Sequence, residues 1–108
     1  GAAALGDLGM HFPPTDSQFK NISSLELLHR VHALIQNKGF RIVNIDTTVI
    51  AETPKLAPYL ETITQKLSEV LSLSKEQINL KAKTHETLDS IGRREAIAAQ
   101  AVAVIEKG

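Results

Sequence analysis

Three stretches of this chain carry side chains whose types and spacing can do chemistry: Asp7 to Asp16, Glu52 to Leu56, and Thr84 to Arg94. Asp7, with Gly6 before it and Gly9 after it, sets a carboxylate beside bare backbone amides, which suits gripping a polyol or a phosphate-bearing substrate. The same residues also spell an ordinary helix-stop turn. Thr53-Pro54-Lys55 precedes a helix, where free N–H groups and the positive dipole end favour anions and Lys55 adds a full charge. A proline-led helix with a solvated lysine has the same spelling. Thr84-His85-Glu86 groups a hydroxyl, an imidazole and a carboxylate, and Glu86 suits a hard cation such as Mg²⁺, which takes few protein carboxylates and completes its shell with phosphates. The competing reading there is an N-cap or polar loop. Gly92-Arg93-Arg94 can clamp a phosphate or carboxylate, or its arginines can simply pair with Glu95 at the surface. His29 and His32 lie three apart on a helix without a third ligand at metal spacing, and read as helix-flank residues. His11, beside Phe12 and two prolines, reads as a loop residue rather than a base.

The elements that must position these groups follow from periodicity. Gly1 to Leu5 reads as the cut end of a longer helix, stopped by Gly6, with a loop through Pro13-Pro14 to about Ile22. Ser23 and Glu26 have the spacing of a capping box, and Leu27, Leu28, Val31, Leu34 and Ile35 continue one helical stripe that Gly39 ends. From Phe40 to Ala51 β-branched residues fall on both faces, predicting a central strand covered on both sides. Pro54 and Pro58 bracket a helix start, after which Leu56, Leu60, Ile63, Leu67, Val70 and Leu71 recur at helical spacing. Ser74 to Gln77 repeats the capping-box spacing in a short turn, and Ile78, Leu80 and Ala82 alternate as a half-buried strand. The tail from Ala96 to Ile105 is ambiguous, since alanine favours helix while its alternation favours a strand. The order predicts an α+β fold, a sheet with helices on one face.

Composition narrows the function classes. At 108 residues the chain has room for one domain with a single modest core. Twelve basic residues balance twelve acidic ones, which argues against a nucleic-acid or anionic-membrane binder, so any phosphate chemistry must come from local placement of charge. The absence of cysteine removes disulfides, thiolate nucleophiles and cysteine-based zinc sites, which is compatible with a reducing cytosol. No apolar run approaches the roughly 20 residues of a membrane span, so a soluble protein is expected.

The string Gly1-Ala2-Ala3-Ala4-Leu5-Gly6-Asp7-Leu8-Gly9, followed by Phe12-Pro13, Thr15-Asp16 and Phe19-Lys20, closely resembles the 2-C-methyl-D-erythritol 2,4-cyclodiphosphate synthases. Gly39-Phe40, Asn44-Ile45-Asp46, Val49-Ile50-Ala51, Pro54-Lys55, Lys81-Ala82, Thr84 with Glu86, and Gly92-Arg93 look like further blocks of that family, in order. The resemblance covers the whole chain, read as a single domain over residues 1–108 that corresponds to the C-terminal two-thirds of the family domain. It implies a mixed sheet with helices on one face in a ferredoxin-like arrangement, a tail that is a strand, and a homotrimer with active sites between subunits.

The activity implied is metal-dependent cyclisation of 4-diphosphocytidyl-2-C-methyl-D-erythritol 2-phosphate with release of CMP, in non-mevalonate isoprenoid biosynthesis in a bacterial cytoplasm or a plastid. By the same resemblance Asp7, Leu8 and Gly9 hold the erythritol hydroxyls, and Phe12, Pro13, Pro14, Thr15 and Asp16 line that subsite. Ala51, Glu52, Thr53, Pro54, Lys55, Leu56 and Ala57 cradle the cytidine, largely through backbone groups. Thr84 is the implied catalytic residue, orienting the phosphates, while Lys83, His85, Glu86 and Arg93 complete the implied substrate site. The implied cofactors are zinc, held by an Asp-x-His pair and another His expected upstream of this chain, and magnesium or manganese held with help from Glu86. The chain departs from the family pattern at Pro14, Lys83, Asp89-Ser90-Ile91 and Gln100. Two other readings are a non-catalytic trimeric nucleotide-binding module and the C-terminal domain of a bifunctional cytidylyltransferase and cyclase.

Overall fold

A computed structural model describes all of residues 1–108. Gly1 to Leu5 does not form a helix: Ala4 N–H closes a turn on the Gly1 carbonyl and Ala4 itself takes a positive φ of 55°. Five residues cannot recover the cost of nucleating a helix, whatever their propensity. Gly6, at φ 89°, does take the left-handed conformation. Asp7 then caps the short helix α1 (Leu8–His11), and Asp16 caps a single 3₁₀ turn at Ser17–Phe19, so the expected loop is built from two capped turns.

Helix α2 (Ser24–Asn37) starts as its sequence dictates, with the Ser23 hydroxyl accepting Glu26 N–H at 3.1 Å. The Glu26 side chain does not complete the box; it runs forward to Arg30, 3.2 Å away at the next helical turn. Gly39, at φ 85°, turns the chain into strand β1 (Phe40–Ile50). A 3₁₀ turn at Ala57–Tyr59 leads into α3 (Leu60–Leu71), and the Ser74–Gln77 capping box, with both reciprocal bonds made, leads into β2 (Ile78–Lys83). The loop after β2 contains one helical turn, α4 (Asp89–Gly92), and the tail is strand β3 (Ala98–Lys107). Partnership with β1 decides that tail against the helix preference of its alanines, because β1 offers ten residues of antiparallel register from Phe40↔Lys107 to Ile50↔Ala98.

The sheet runs β2-β1-β3, with β1 parallel to β2 and antiparallel to β3, an α+β mixed sheet with β1 in the centre as expected. A register shift between Ile42 and Asn44 leaves Val43 as a bulge, after which Ile45 and Thr47 turn toward α2 and α3. On that side Ile42, Ile45, Ala101, Ala103 and Ile105 meet Leu28, Val31 and Ile35 of α2 and Leu67 and Leu71 of α3 around a cavity of about 380 Å³. Nothing within the chain covers the opposite side, where Val102 is 69% and Val104 51% exposed, so the expectation of a central strand buried on both faces does not hold. The core is correspondingly thin: Ala51, Leu71, Ile78 and Gly92 are the only buried residues. A sheet covered by one helical layer buries one face alone.

The open face carries a polar clasp between strands. Asp46 accepts Asn79 Nδ2 at 2.9 Å and Lys81 Nζ at 3.0 Å across the β1–β2 pair. The Asn79 bond first, then the Lys81 bond, hold its carboxyl below the usual range despite slight desolvation. A depressed folded-state pKa means that stability from this clasp is present above the unfolded value near 3.8 and is lost as pH falls through the lower folded value. Asp46→Asn is therefore expected to flatten the acid limb of a stability curve below about pH 5, measured by denaturant midpoint as a function of pH; an unchanged limb contradicts the clasp.

Gly92 positions the loop that follows β2. A Cβ there would overlap the Thr87 carbonyl carbon and lie 2.6 Å from its Cα and 2.7 Å from its oxygen, so the helical turn packs against Thr87 only because residue 92 has no side chain. Gly92→Ala must push Thr87 and Glu86 away and is expected to cost about 2–3 kcal/mol in denaturant unfolding, the size of a core overpacking penalty; a loss below the measurement error contradicts this packing.

Candidate functional site

Parallel pairing puts the C-terminal ends of β1 and β2 at the same edge of the sheet, where loops of such sheets gather to bind ligands. Their register ends at Ile50↔Lys83, and one further bond, Ala51 N–H to the Lys83 carbonyl at 3.0 Å, extends the pairing to the mouth of both loops. The loops are then tied directly, since Glu52 Oε1 accepts Thr87 N–H at 3.0 Å. Between them lies a cavity of about 400 Å³ lined by Ala51, Glu52, Thr53, Lys55, Leu56 and Ala57 from the first loop, and by Ala82, Lys83, Thr84 and Arg94 from β2 and beyond. Ala51 is buried at its base, and Thr53–Pro54 is a cis peptide on its rim.

Thr84 also faces a second, more open hollow of about 390 Å³ shared with His85, Glu86, Leu88 and Asp89. Thr84 Oγ1 accepts Glu86 N–H at 3.2 Å, which leaves the hydroxyl proton free to donate outward. The Glu86 backbone sits at φ 52°, with its carbonyl taken by the Thr87 hydroxyl at 2.6 Å, while its carboxylate has no partner within the chain. His85 Nδ1 and Asp89 Oδ2 lie 2.7 Å apart, and the other Asp89 oxygen accepts Ile91 N–H at 2.9 Å and Gly92 N–H at 3.3 Å. Desolvation by its neighbours pushes the exposed Asp89 carboxyl up, but the hydrogen bonds from His85 and from these two amides outweigh it and hold it below the usual range.

Other expected site residues lie elsewhere on the chain. Asp7 Oδ1 accepts Met10 N–H at 2.9 Å, so the carboxylate is at work as a helix cap, and Asp7, Leu8, His11 and Phe12 border a separate hollow of about 340 Å³ against Val31, Leu34 and Ile35. Gly9 sits beside the Asp7 carboxylate. Pro13 to Asp16 form a turn, closed by Asp16 N–H on the Pro13 carbonyl at 3.0 Å, with Pro14 and Thr15 exposed at its crest. The Gln18 side chain, then its backbone N–H, hold Asp16 below the usual carboxyl range. His11 is the last residue of α1 rather than a loop residue, and its Nε2 lies 2.6 Å from the Leu5 carbonyl, tying the helix to the segment before it. His32 borders the cavity between helices and sheet, where burial, then the neighbouring His29, lower its pKa.

Arg93 and Arg94 part company. Arg93 Nε lies 3.1 Å from Glu95 Oε1 at the surface, the plain pairing that the sequence allowed, and Arg93 does not border the strand-end cavity. Arg94 does border it, held at φ 66° with its N–H on the Ile91 carbonyl at 3.0 Å. The sequence names both arginines but not their directions, which depend on a left-handed residue where glycine is the usual choice. No three His, Asp or Glu side chains converge at metal-binding distance, so the residues of this chain do not make a zinc site.

The sequence profile of the YgbB family matches residues 1–106. The chain is 55% identical over 102 residues to 2-C-methyl-D-erythritol 2,4-cyclodiphosphate synthase of Agathobacter rectalis, a match that takes in 94% of this chain and 58% of that protein. Among solved structures, the bifunctional IspDF from Campylobacter jejuni superposes with a TM-score of 0.90 at 40% identity, over 97% of this chain and 28% of that one. IspF of Plasmodium falciparum in complex with CDP superposes with a TM-score of 0.82 at 36% identity, over 97% of this chain and 62% of that one. The chain thus spans about 58% of the first of these relatives' length, with its strand-end loops inside the matched region. Fold, loop order and sequence agree from one end to the other: the chain belongs to the YgbB family.

Proposed function

We propose that this chain forms the nucleotide side of a cyclodiphosphate synthase, which cyclises 4-diphosphocytidyl-2-C-methyl-D-erythritol 2-phosphate and releases CMP. One observation carries this reading: Ala51, Glu52, Thr53, Lys55, Leu56 and Ala57, which the resemblance assigns to cytidine, line one cavity with Thr84, which it assigns to phosphate, and with Lys83. Names of close relatives and the CDP in a matching structure agree with it.

The reaction joins an oxygen of the 2-phosphate to the β-phosphorus while the bond from that phosphorus to the bridging oxygen breaks, and CMP leaves with the electron pair. Two unit negative charges 4 Å apart repel by about 4 kcal/mol at an effective dielectric near 20, so the cleft must supply positive charge. Lys55 supplies it from the first loop and Lys83 from the end of β2, and the free Thr84 hydroxyl proton donates to a phosphate oxygen as charge shifts. Glu86, exposed beside Thr84 and unpartnered, fits a hard cation that takes one protein carboxylate and substrate phosphates. Glu86 would hold magnesium or manganese there, and the chemistry so supplied would be neutralisation of phosphate charge. Zinc finds no ligand set in this chain, and no step here depends on it.

Asp7 and Phe12 border a different hollow from Thr84 and Glu86, which fits an erythritol side supplied by a neighbouring copy. The homotrimer, the ferredoxin-like arrangement and a bacterial cytoplasmic setting belong to this proposal. A second reading is a trimeric nucleotide-binding module without metal chemistry, which would keep the cavity between the two loops.

CMP release from the diphosphocytidyl substrate separates the two. With Mg²⁺ or Mn²⁺ present, Glu86→Gln is expected to lower turnover at least about 100-fold, the scale of losing a charged transition-state contact, with CDP affinity within about threefold. Protein that binds CDP but releases no CMP under metal-replete conditions is the binding module instead.

A further inference from the structure

Charge pairing singles out Arg94. Of the four arginines, Arg30 pairs with Glu26, Arg41 with Glu106 and Arg93 with Glu95, whereas Arg94 pairs with nothing. It faces the strand-end cavity together with Lys55 and Lys83, which are also without ion pairs. Glu52 is the one carboxylate lining that cavity, and it is already engaged with Thr87 N–H. A chain with no net charge thus directs three free cations against one occupied anion at a single hollow. The backbone is set for this at some cost. A side chain at φ 66° is disfavoured by roughly 1–2 kcal/mol, and strain of that kind persists only where neighbours hold it. Here Arg94 N–H is bonded to Ile91 and Glu95 N–H to the Ser90 carbonyl at 2.8 Å, so the residue is fixed from both sides.

We infer that Arg94, working with Lys83, grips the phosphoanhydride of a nucleoside diphosphate and makes the cavity prefer a diphosphate over a monophosphate. The inference rests on the nucleotide reading above and adds to it a residue that the resemblance did not assign. A guanidinium presents paired N–H donors to two phosphate oxygens, and Lys83 adds a point charge. Preference for the diphosphate has a use in the proposed reaction, since the nucleotide that leaves carries one phosphate and loses this grip.

Calorimetric titration of the 108-residue chain with cytidine, CMP, CDP and inorganic pyrophosphate tests it. Arg94→Gly removes the side chain while suiting the backbone, so it is expected to melt no lower than the parent. It is expected to weaken CDP and pyrophosphate about tenfold, with cytidine within about twofold. Arg94→Lys keeps charge without the fork and is expected to fall between, and Arg30→Ala, remote from the cavity, to match the parent. Tight CDP binding that Arg94→Gly leaves unchanged overturns the clamp while the cytidine reading stands. Arg94-dependent pyrophosphate binding with no added affinity for CDP supports the clamp and removes cytidine. Failure of the parent chain to bind either ligand overturns both.

Discussion

The parallel pairing of β1 with β2 is the constraint on which the rest of this molecule depends. Antiparallel neighbours send their loops to opposite ends, whereas two parallel strands must release their following loops at the same edge. The Ala51 to Lys83 hydrogen bond and the Glu52 to Thr87 bond carry that juxtaposition past the ends of the strands. Helix α3 is the crossover that makes the parallel arrangement possible, and its packing through Leu67 and Leu71 sets the distance between the strands' helical side and the layer above. Three of the groups proposed to meet phosphate then follow from position in this frame: Lys55 five residues past β1, Lys83 as the last residue of β2, and Thr84 directly after it.

A neutral chain handles phosphate by sorting its charges. Most of its acids are spent on local structure: Asp7 and Asp16 cap turns, Asp46 clasps two strands, Asp89 holds His85 and a helical turn, and Glu26, Glu95 and Glu106 pair with arginines. What remains unpaired at the strand-end edge is mainly positive, with Glu86 held apart in the adjoining hollow. The open sheet face and thin core follow from a single helical layer, which covers one face of the sheet.

What could be read from the sequence was local. Ser23, Gly39 and the Ser74–Gln77 box mark their element ends because the bonds involved span three or four residues. The stripe from Leu60 to Leu71 and the alternation from Ile78 declare themselves by period. Partnership at long range was not legible from period or propensity, and the tail's strand state came from the family resemblance alone. The tail's strand state needs β1 beside it, the open face of β1 needs knowledge of which layers exist, and Gly1 to Leu5 shows propensity yielding to nucleation cost. The site divides in the same way. Residues 51–53 and 55–57 with Lys83 and Thr84 were nameable and do converge, whereas the exchange of Arg94 for Arg93 at the cavity turns on a single backbone conformation.

The nucleotide site requires two loops to share one ligand, and amide chemical shifts recorded while CDP is titrated into the chain test this most directly. The expected result is that amides of residues 51–57 and 83–87 move together along one saturation curve. Movement confined to one loop, or centred on Asp7 to Phe12, contradicts it.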